Sequence, residues 1–254
     1  VKSKGRAPNE ARTTDVRLPW PGLAWRHGLH ALPSAAAHYL LDVRRLLPGA
    51  GVVVFDGEGR EARASLELQP DGTPALRIDA EPGPGRRGAA LRLAYALPKG
   101  DKLDDVLRQV TELGVGGVLL FVAERSISRP ETGDRLDRKR DRWLRIVEEA
   151  ARQSGRADFP LLDGPMSLDE ALAETTADAT RLVLHPTAET LFGDTPARTP
   201  STVFVGPEGG FSPSELARCA EGGVTAARLA TPVLRTETAA VVAVALALHR
   251  SGAA

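Results

Sequence analysis

The stretch Val203-Phe204-Val205-Gly206-Pro207-Glu208-Gly209-Gly210-Phe211-Ser212-Pro213-Ser214-Glu215 sets one carboxylate, Glu208, in a glycine-rich loop between an apolar run and a helix start. Ser212 is a good N-cap, Pro213 suits the first helical position, and Glu215 completes a capping box. Gly209 and Gly210 let the backbone bend freely and let a ligand approach closely. Such a loop at the carboxyl end of a parallel strand is where α/β proteins bind ligands, although an ordinary strand-to-helix connection can carry the same turn chemistry. No lysine follows the last glycine, so this is not a Walker phosphate loop. Gly83, Gly85 and Gly88 do fit G-x-G-x-x-G, but they lead into a strand-like segment rather than a helix, which is the wrong context for a dinucleotide site.

A second stretch, Leu229-Ala230-Thr231-Pro232-Val233-Leu234-Arg235-Thr236-Glu237-Thr238-Ala239, precedes a run to Leu248 that is apolar nearly all round. That run predicts a helix buried on several sides, in a core or a subunit interface. Arg235 and Glu237 stand at its mouth. An arginine stays protonated and can stabilise a developing anion, whereas a carboxylate can take a proton. The pair also fits a plain ion pair beside a capping threonine.

A third stretch is basic. From Arg125 to Arg156 there are ten cations, including Arg129 and Lys139, against six acids, a net of +4, and Ser126 and Ser128 add phosphate donors. Phosphate contact is the usual use of such a surface; the alternative is a solvated helix face laced with i,i+4 pairs. His27, His30, His38, His185 and His249 have no metal-ligand spacing, so no metal site is read.

Around these stretches the chain of 254 residues has room for one large or two modest domains. Its 33 basic and 33 acidic side chains cancel, which argues against coating nucleic acid by bulk charge alone. The single cysteine, Cys219, excludes an intrachain disulfide and reads as a small buried residue on a helix in a reducing compartment. The longest apolar run, Ala239 to Leu248, is shorter than the about 20 residues a membrane span needs, and no signal-peptide pattern is visible, so a soluble, cytoplasmic protein without a membrane partner is expected.

The segment to Leu32 reads as irregular and basic, and Ser34 to Leu46 as a short helix. Val52 to Phe55, Ala62 to Leu68 and Ala75 to Ile78, separated by turn signals, suggest a small β-barrel or sandwich. The proline- and glycine-rich segment Glu81 to Gly88 marks a linker, giving domains of 1–85 and 86–254. Beyond it, Leu91 to Leu97 alternates as a strand, and Leu103, Val106, Leu107, Val110 and Leu113 follow helical spacing that Gly114 can close. Val118 to Val122 is a buried-strand run, a helix follows from about Arg138 to Gln153, and Arg181 to Leu184 and Thr202 to Val205 are further strands. Strands alternating with helices predict a mostly parallel α/β sheet.

Taken in order, these stretches resemble the bacterial small-subunit ribosomal RNA uridine-N3 methyltransferase family, RsmE, of the SPOUT superfamily. The matching pieces are His38 to Leu46 with Pro48-Gly49, Phe55-Asp56-Gly57, Lys99-Gly100-Asp101-Lys102, Thr111 to Val115, Glu124-Arg125-Ser126, Glu149 to Arg156, Leu184-His185-Pro186, Gly206 to Gly210, and Leu234 to Ala239. The resemblance implies a PUA-like β-barrel that binds RNA, followed by an α/β methyltransferase domain with a deep trefoil knot. It also implies a homodimer, 16S ribosomal RNA as partner, within the assembled small subunit, and S-adenosylmethionine as cofactor. The cofactor would lie among Leu184, His185 and Pro186; Gly206, Pro207, Glu208, Gly209 and Gly210; and Leu229, Val233, Leu234, Thr236 and Thr238. Where the family has Gly and then a cation after Leu229, this chain has Ala230, which restricts backbone approach, and Pro232, which lacks an amide donor.

N3 of uracil carries a proton and is a poor nucleophile at neutral pH, so its methylation needs that proton removed and the anion stabilised. Arg235 is the candidate for the anion, and Glu208 or Glu237 for the base or its orienter. Arg44, Arg125, Arg129, Lys139 and Arg156 are the candidates for holding RNA, with the target base leaving its stack. Two other functions remain open at this point: a non-catalytic RNA-binding assembly factor, and a phosphate- or nucleotide-binding enzyme using the Gly206 loop.

Overall fold

The computed structural model describes residues 16–127, 131–196, 198 and 201–252. Two six-stranded sheets organise them. The first is built from β1 (Val16–Pro19), β2 (Gly28–Ala31), β3 (Gly51–Phe55), β4 (Arg60–Leu68), β5 (Pro74–Ile78) and β6 (Gly83–Pro84), in the order β1-β3-β4-β5-β2 with β6 on β4. All pairs are antiparallel except β1 with β3. Period-two burial sets the core: Ala62, Ala64 and Leu66 of β4 face in with Val52, Val54, Leu76 and Ile78. The expected irregular start therefore holds two strands, β1 and β2; β1 is carried by only Val16 and Leu18 as inward residues. The expected helix over 34–46 is shorter and changes pitch. It is α1 (Ser34–His38) followed by one π turn over Tyr39–Val43, which buries Leu40 completely. Arg45, at φ 53, ends it.

The second sheet contains β7 (Leu91–Ala96), β8 (Gly117–Val122), β9 (Leu161–Ser167), β10 (Thr180–Leu184), β11 (Ser201–Val205) and β12 (Thr225–Ala227). Its order is β12-β10-β11-β7-β8-β9, with every pair parallel. Alternate residues feed two cores. Leu91, Leu93, Tyr95, Val118, Leu120, Val203 and Val205 pack with α2 (Lys102–Leu113), α3 (Asp134–Ser154) and α6 (Thr236–Ser251). Ala94, Ala96, Leu119, Phe121 and Phe204 pack on the other face with α4 (Leu168–Glu174) and α5 (Pro213–Glu221). Helices on both faces are what an all-parallel sheet requires. Pro165 inside β9 is tolerated because β9 is an edge strand. Cys219 lies buried on α5.

Strand order reverses between β7 and β11. The chain leaves β7 for its neighbour β8 on one side, and leaves β11 for β12 on the other. The carboxyl ends of β7 and β11 thus flank a switch point, where open α/β sheets form ligand crevices. Among the described residues, no helix is long and apolar enough to cross a membrane.

The sheets meet along Arg156–Phe159. Gly59 donates to the Ala157 carbonyl at 2.9 Å, Phe159 to the Gly57 carbonyl at 2.9 Å, and Ala157 to the Arg86 carbonyl at 2.8 Å. Phe159 packs edge-on against Phe55 of β3, with ring centroids 5.8 Å apart.

Candidate active site

A cavity of about 730 Å³ opens at the carboxyl ends of β10 and β11. Three loops wall it. The first is Leu184, His185 and Pro186. His185 donates its backbone N–H to the Ala227 carbonyl at 2.9 Å, and its Nδ1 lies 3.1 Å from the Thr187 hydroxyl. The second runs from Gly206 through Pro207, Glu208, Gly209 and Gly210 to Phe211. Its helix start forms as the sequence indicates: Glu215 donates its N–H to Ser212 Oγ at 3.2 Å, and the Glu215 carboxylate accepts from the Ser212 N–H at 2.8 Å. Glu215 also accepts from the Glu124 N–H at 2.8 Å, which ties α5 to the loop after β8. Gly210 turns at φ +67, and a Cβ on Gly206 would come within 2.9 Å of the Phe211 ring. The third loop contributes Leu229, Val233, Leu234, Arg235 and Thr236. The Thr236 hydroxyl donates to the Gly206 carbonyl at 2.6 Å, joining the second and third loops.

Two residues proposed from sequence stand elsewhere. Thr238 is exposed on the first turn of α6 and does not line the cavity, because helical spacing turns it away from Thr236. Glu237 does not line it either, yet reaches its edge through Lys102, a residue the sequence reading passed over as a ligand of these carboxylates. Lys102 Nζ lies 3.0 Å from Glu208 Oε1 and 3.4 Å from Glu237 Oε2. The only signal in the sequence was the Lys99-Gly100-Asp101-Lys102 motif, whose partners lie more than a hundred residues away. Burial alone would raise the Glu208 carboxyl. Its own N–H, the Lys102 ammonium and the Lys99 N–H together outweigh that and hold it below the usual carboxylate range. The Lys102 ammonium is pushed up, chiefly by its hydrogen bond to Glu208. Beneath them Tyr95 is fully buried, and its hydroxyl has no hydrogen-bond partner among the described residues. Burial first, then the charges of Glu237 and Glu208, drive that phenol upward against the Thr236 hydroxyl, so it stays neutral. Arg235 lines the cavity in extended conformation just before α6, is exposed, and pairs with no carboxylate among the described residues.

Of the cations proposed for RNA, Arg44 is exposed after the π turn. Lys139 is paired with Glu131 at 3.0 Å. Arg125 lines the cavity and donates to the carbonyls of Gly209 at 3.1 Å and Phe211 at 3.4 Å, so it braces the glycine loop. Arg129 lies outside the described residues. Arg156 is a correction. It is 2% exposed, donates to the carbonyls of Thr111 and Val115, and grips Asp158, so it cannot reach a phosphate. Among the described residues no cluster of His, Cys, Asp and Glu could hold a metal.

Residues 87–248 match the family model of an RNA methyltransferase domain, and residues 32–71 that of an RNA methyltransferase PUA domain. The chain is 37% identical over 207 residues to ribosomal RNA small subunit methyltransferase E of Mycobacterium bovis, covering 79% of each. It is 32% identical over 222 residues to the protein of the same name from Synechocystis, covering 84% of this chain and 71% of that one. Among solved structures, a Neisseria gonorrhoeae ribosomal RNA small subunit methyltransferase E bound to S-adenosyl methionine superposes with a TM-score of 0.80 at 28% identity, over 93% of this chain and 98% of that one. A Legionella pneumophila protein whose structure holds SAM gives a TM-score of 0.84 at 30% identity over the same shares. The cavity at the carboxyl edge of the parallel sheet, the RNA methyltransferase and PUA matches and these likenesses together place the chain in the ribosomal RNA small subunit methyltransferase E family.

Proposed function

We propose that this protein transfers a methyl group from S-adenosylmethionine to N3 of one uridine in the decoding region of 16S ribosomal RNA, acting on the assembled small subunit as a homodimer. The observation that carries this reading is the convergence of the three loops on one cavity at the carboxyl ends of β10 and β11, beside the switch point of the parallel sheet. The residues fit the cofactor. The cavity has the size of sites for ligands of this class, and two of its walls present backbone groups beside glycines or prolines. Glu208 lines it, and Glu237 stands at its edge across Lys102. When bound, the cofactor supplies an electrophilic methyl group on a sulfonium.

The N3 proton passes to solvent water, and the work of the chain is then to hold the resulting uracil anion in line with that methyl group. Arg235, exposed and without a carboxylate partner among the described residues, would donate to the uracil oxygen as charge develops. Glu208, held below the usual carboxylate range, and Glu237, ion-paired with Lys102, have an orienting rather than a proton-abstracting role. Residues 1–85 would serve as the RNA-binding domain and 86–254 as the methyltransferase domain, with Arg44 presented to phosphate. The loop from Leu229 to Arg235, leading into a helix packed on β7 and β11, is where the trefoil knot of the SPOUT fold would close. The outward side of α6 carries Val242, Ala245 and the 40%-exposed Leu246, an apolar stripe suited to a second copy. Calorimetric titration with S-adenosylmethionine tests the cofactor assignment: one site per subunit supports it, and no heat with a folded protein removes it.

A further inference from the structure

The charges around the cavity are not spread evenly. On the side formed by β7, α2 and the first turn of α6, one ammonium, Lys102, faces two carboxylates, Glu208 and Glu237, both within 3.4 Å of its nitrogen. That leaves one formal negative charge uncompensated. Glu237 Oε2 is buried and, apart from the Lys102 ammonium 3.4 Å away, meets no hydrogen-bond donor among the described residues. The other groups that act on the cluster among the described residues are the buried Tyr95 hydroxyl, the Thr236 hydroxyl and the backbone N–H groups of Lys99 and Glu208; all are uncharged. The cations of the lining belong to other walls. Arg125 is spent on the carbonyls of Gly209 and Phe211, and Arg228 and Arg235 lie on the third loop.

We infer that the Lys102–Glu208–Glu237 cluster is a charge filter that favours the sulfonium of S-adenosylmethionine over the uncharged thioether of its demethylated product, S-adenosylhomocysteine. This rests on the proposed cofactor. The two ligands differ at one sulfur: the substrate form carries a positive charge there and the product does not. A net negative charge fixed at the edge of the cavity attracts the first and is indifferent to the second. The consequence is discharge of product after each methyl transfer. Lys102 is a positioning residue in this device. It draws the two carboxylates to one point, and it offsets one of their charges so that the pair does not repel itself apart.

The test is calorimetry of both ligands, at pH 8, with the full-length protein and three variants, each checked by melting temperature. The quantity read is the ratio of the two affinities. Glu208→Gln takes the cluster to zero net charge and should lower the preference for S-adenosylmethionine by about threefold to tenfold, the size suited to a partly exposed charge. Lys102→Met takes it to two negative charges and should raise the preference by a similar factor. The double variant Lys102→Met/Glu208→Gln returns to one negative charge and should restore the wild-type ratio, even where both affinities are weakened. An unchanged ratio in all three, or a ratio that falls in both single variants, overturns the filter. If the unsubstituted protein binds neither ligand, the cofactor reading itself fails, a different result from binding without discrimination.

Discussion

Arg156 grips Asp158 through two parallel hydrogen bonds, Nε to Oδ1 at 3.0 Å and Nη2 to Oδ2 at 3.1 Å, inside the seam between the two sheets. The same carboxylate accepts from the Gly88 N–H, and the Arg156 carbonyl accepts from Arg17 of β1 at 3.1 Å. Arg17 is ion-paired with Glu61 of β4 at 2.7 Å and lies over the Phe55 ring. The Arg156–Asp158 pair thus sits where these segments join: the guanidinium holds Asp158 and the carbonyls of Thr111 and Val115, Asp158 holds Gly88 of the connecting segment, and the Arg156 carbonyl takes the contact from the first sheet.

Removing the guanidinium should therefore affect folding before RNA binding. Arg156→Met leaves Asp158 without its partner, and loss of one member of a buried pair costs about 3–5 kcal/mol. Urea denaturation should show a loss near the lower end of that range, because Asp158 keeps some solvent contact. The affinity of the remaining folded protein for RNA should be unchanged; a selective loss of RNA affinity at full stability would return Arg156 to the RNA surface.

Arg235→Ala should lose turnover by on the order of 100- to 1000-fold, the usual effect of removing one preorganised donor to a developing anion. Cofactor affinity and melting temperature should hold, since Arg235 pairs with no carboxylate among the described residues. Arg235→Lys keeps the charge but not the planar fork and should recover only part of the rate. Single-turnover rates on the three proteins check this, and a near-normal rate for the alanine variant removes Arg235 from the mechanism.

Gly210→Val should abolish binding of S-adenosylmethionine. Gly210 sits at φ +67, where a β-branched residue is strained, and its N–H closes the turn by donating to the Pro207 carbonyl at 2.9 Å. Calorimetry on a variant with native circular dichroism makes the measurement; wild-type affinity would take the glycine loop out of the cofactor site.

The first sheet should fail in acid. Burial would raise the Asp56 carboxyl, but the N–H groups of Arg60 and Glu58 and the side chains of Arg60 and Trp25 outweigh it and hold it below the ordinary range. A carboxyl lowered in the folded state stabilises fully above its unfolded value of about 3.9, and that contribution is lost as pH falls through the folded value. Trp25, whose Nε1 is 3.3 Å from Asp56, should report the transition by its fluorescence below about pH 4. In Asp56→Asn that acid limb should flatten; an identical limb would assign the transition to other carboxyls.

What could be read from the chain follows the range of the interactions involved. The α5 start was legible because Ser212, Pro213 and Glu215 act on one another within a single turn. The α2 spacing was legible because Leu103, Val106, Leu107 and Val110 all face one core. The edges were not. β9 carries Gly164-Pro165 in its middle, which reads as a break, and β12 spans only Thr225–Ala227. Arg156 looked like one more cation of a basic run, because its carbonyl partners lie 41 and 45 residues back. The Lys102 bridge was hidden for the same reason, since it joins carboxylates that share no local pattern with it.

The position of the transferred methyl group decides between N3 methylation and every other chemistry this cavity could carry. Small ribosomal subunits lacking the modification, incubated with this protein and S-adenosylmethionine, can be digested and their nucleosides mapped by mass spectrometry. One methyl group per subunit is expected, on N3 of a single uridine in the decoding region, appearing about 100- to 1000-fold more slowly when Arg235→Ala replaces the unsubstituted protein. A methyl group on a ribose oxygen or on a ring carbon, or no transfer by a folded protein that binds the cofactor, would contradict N3 methylation.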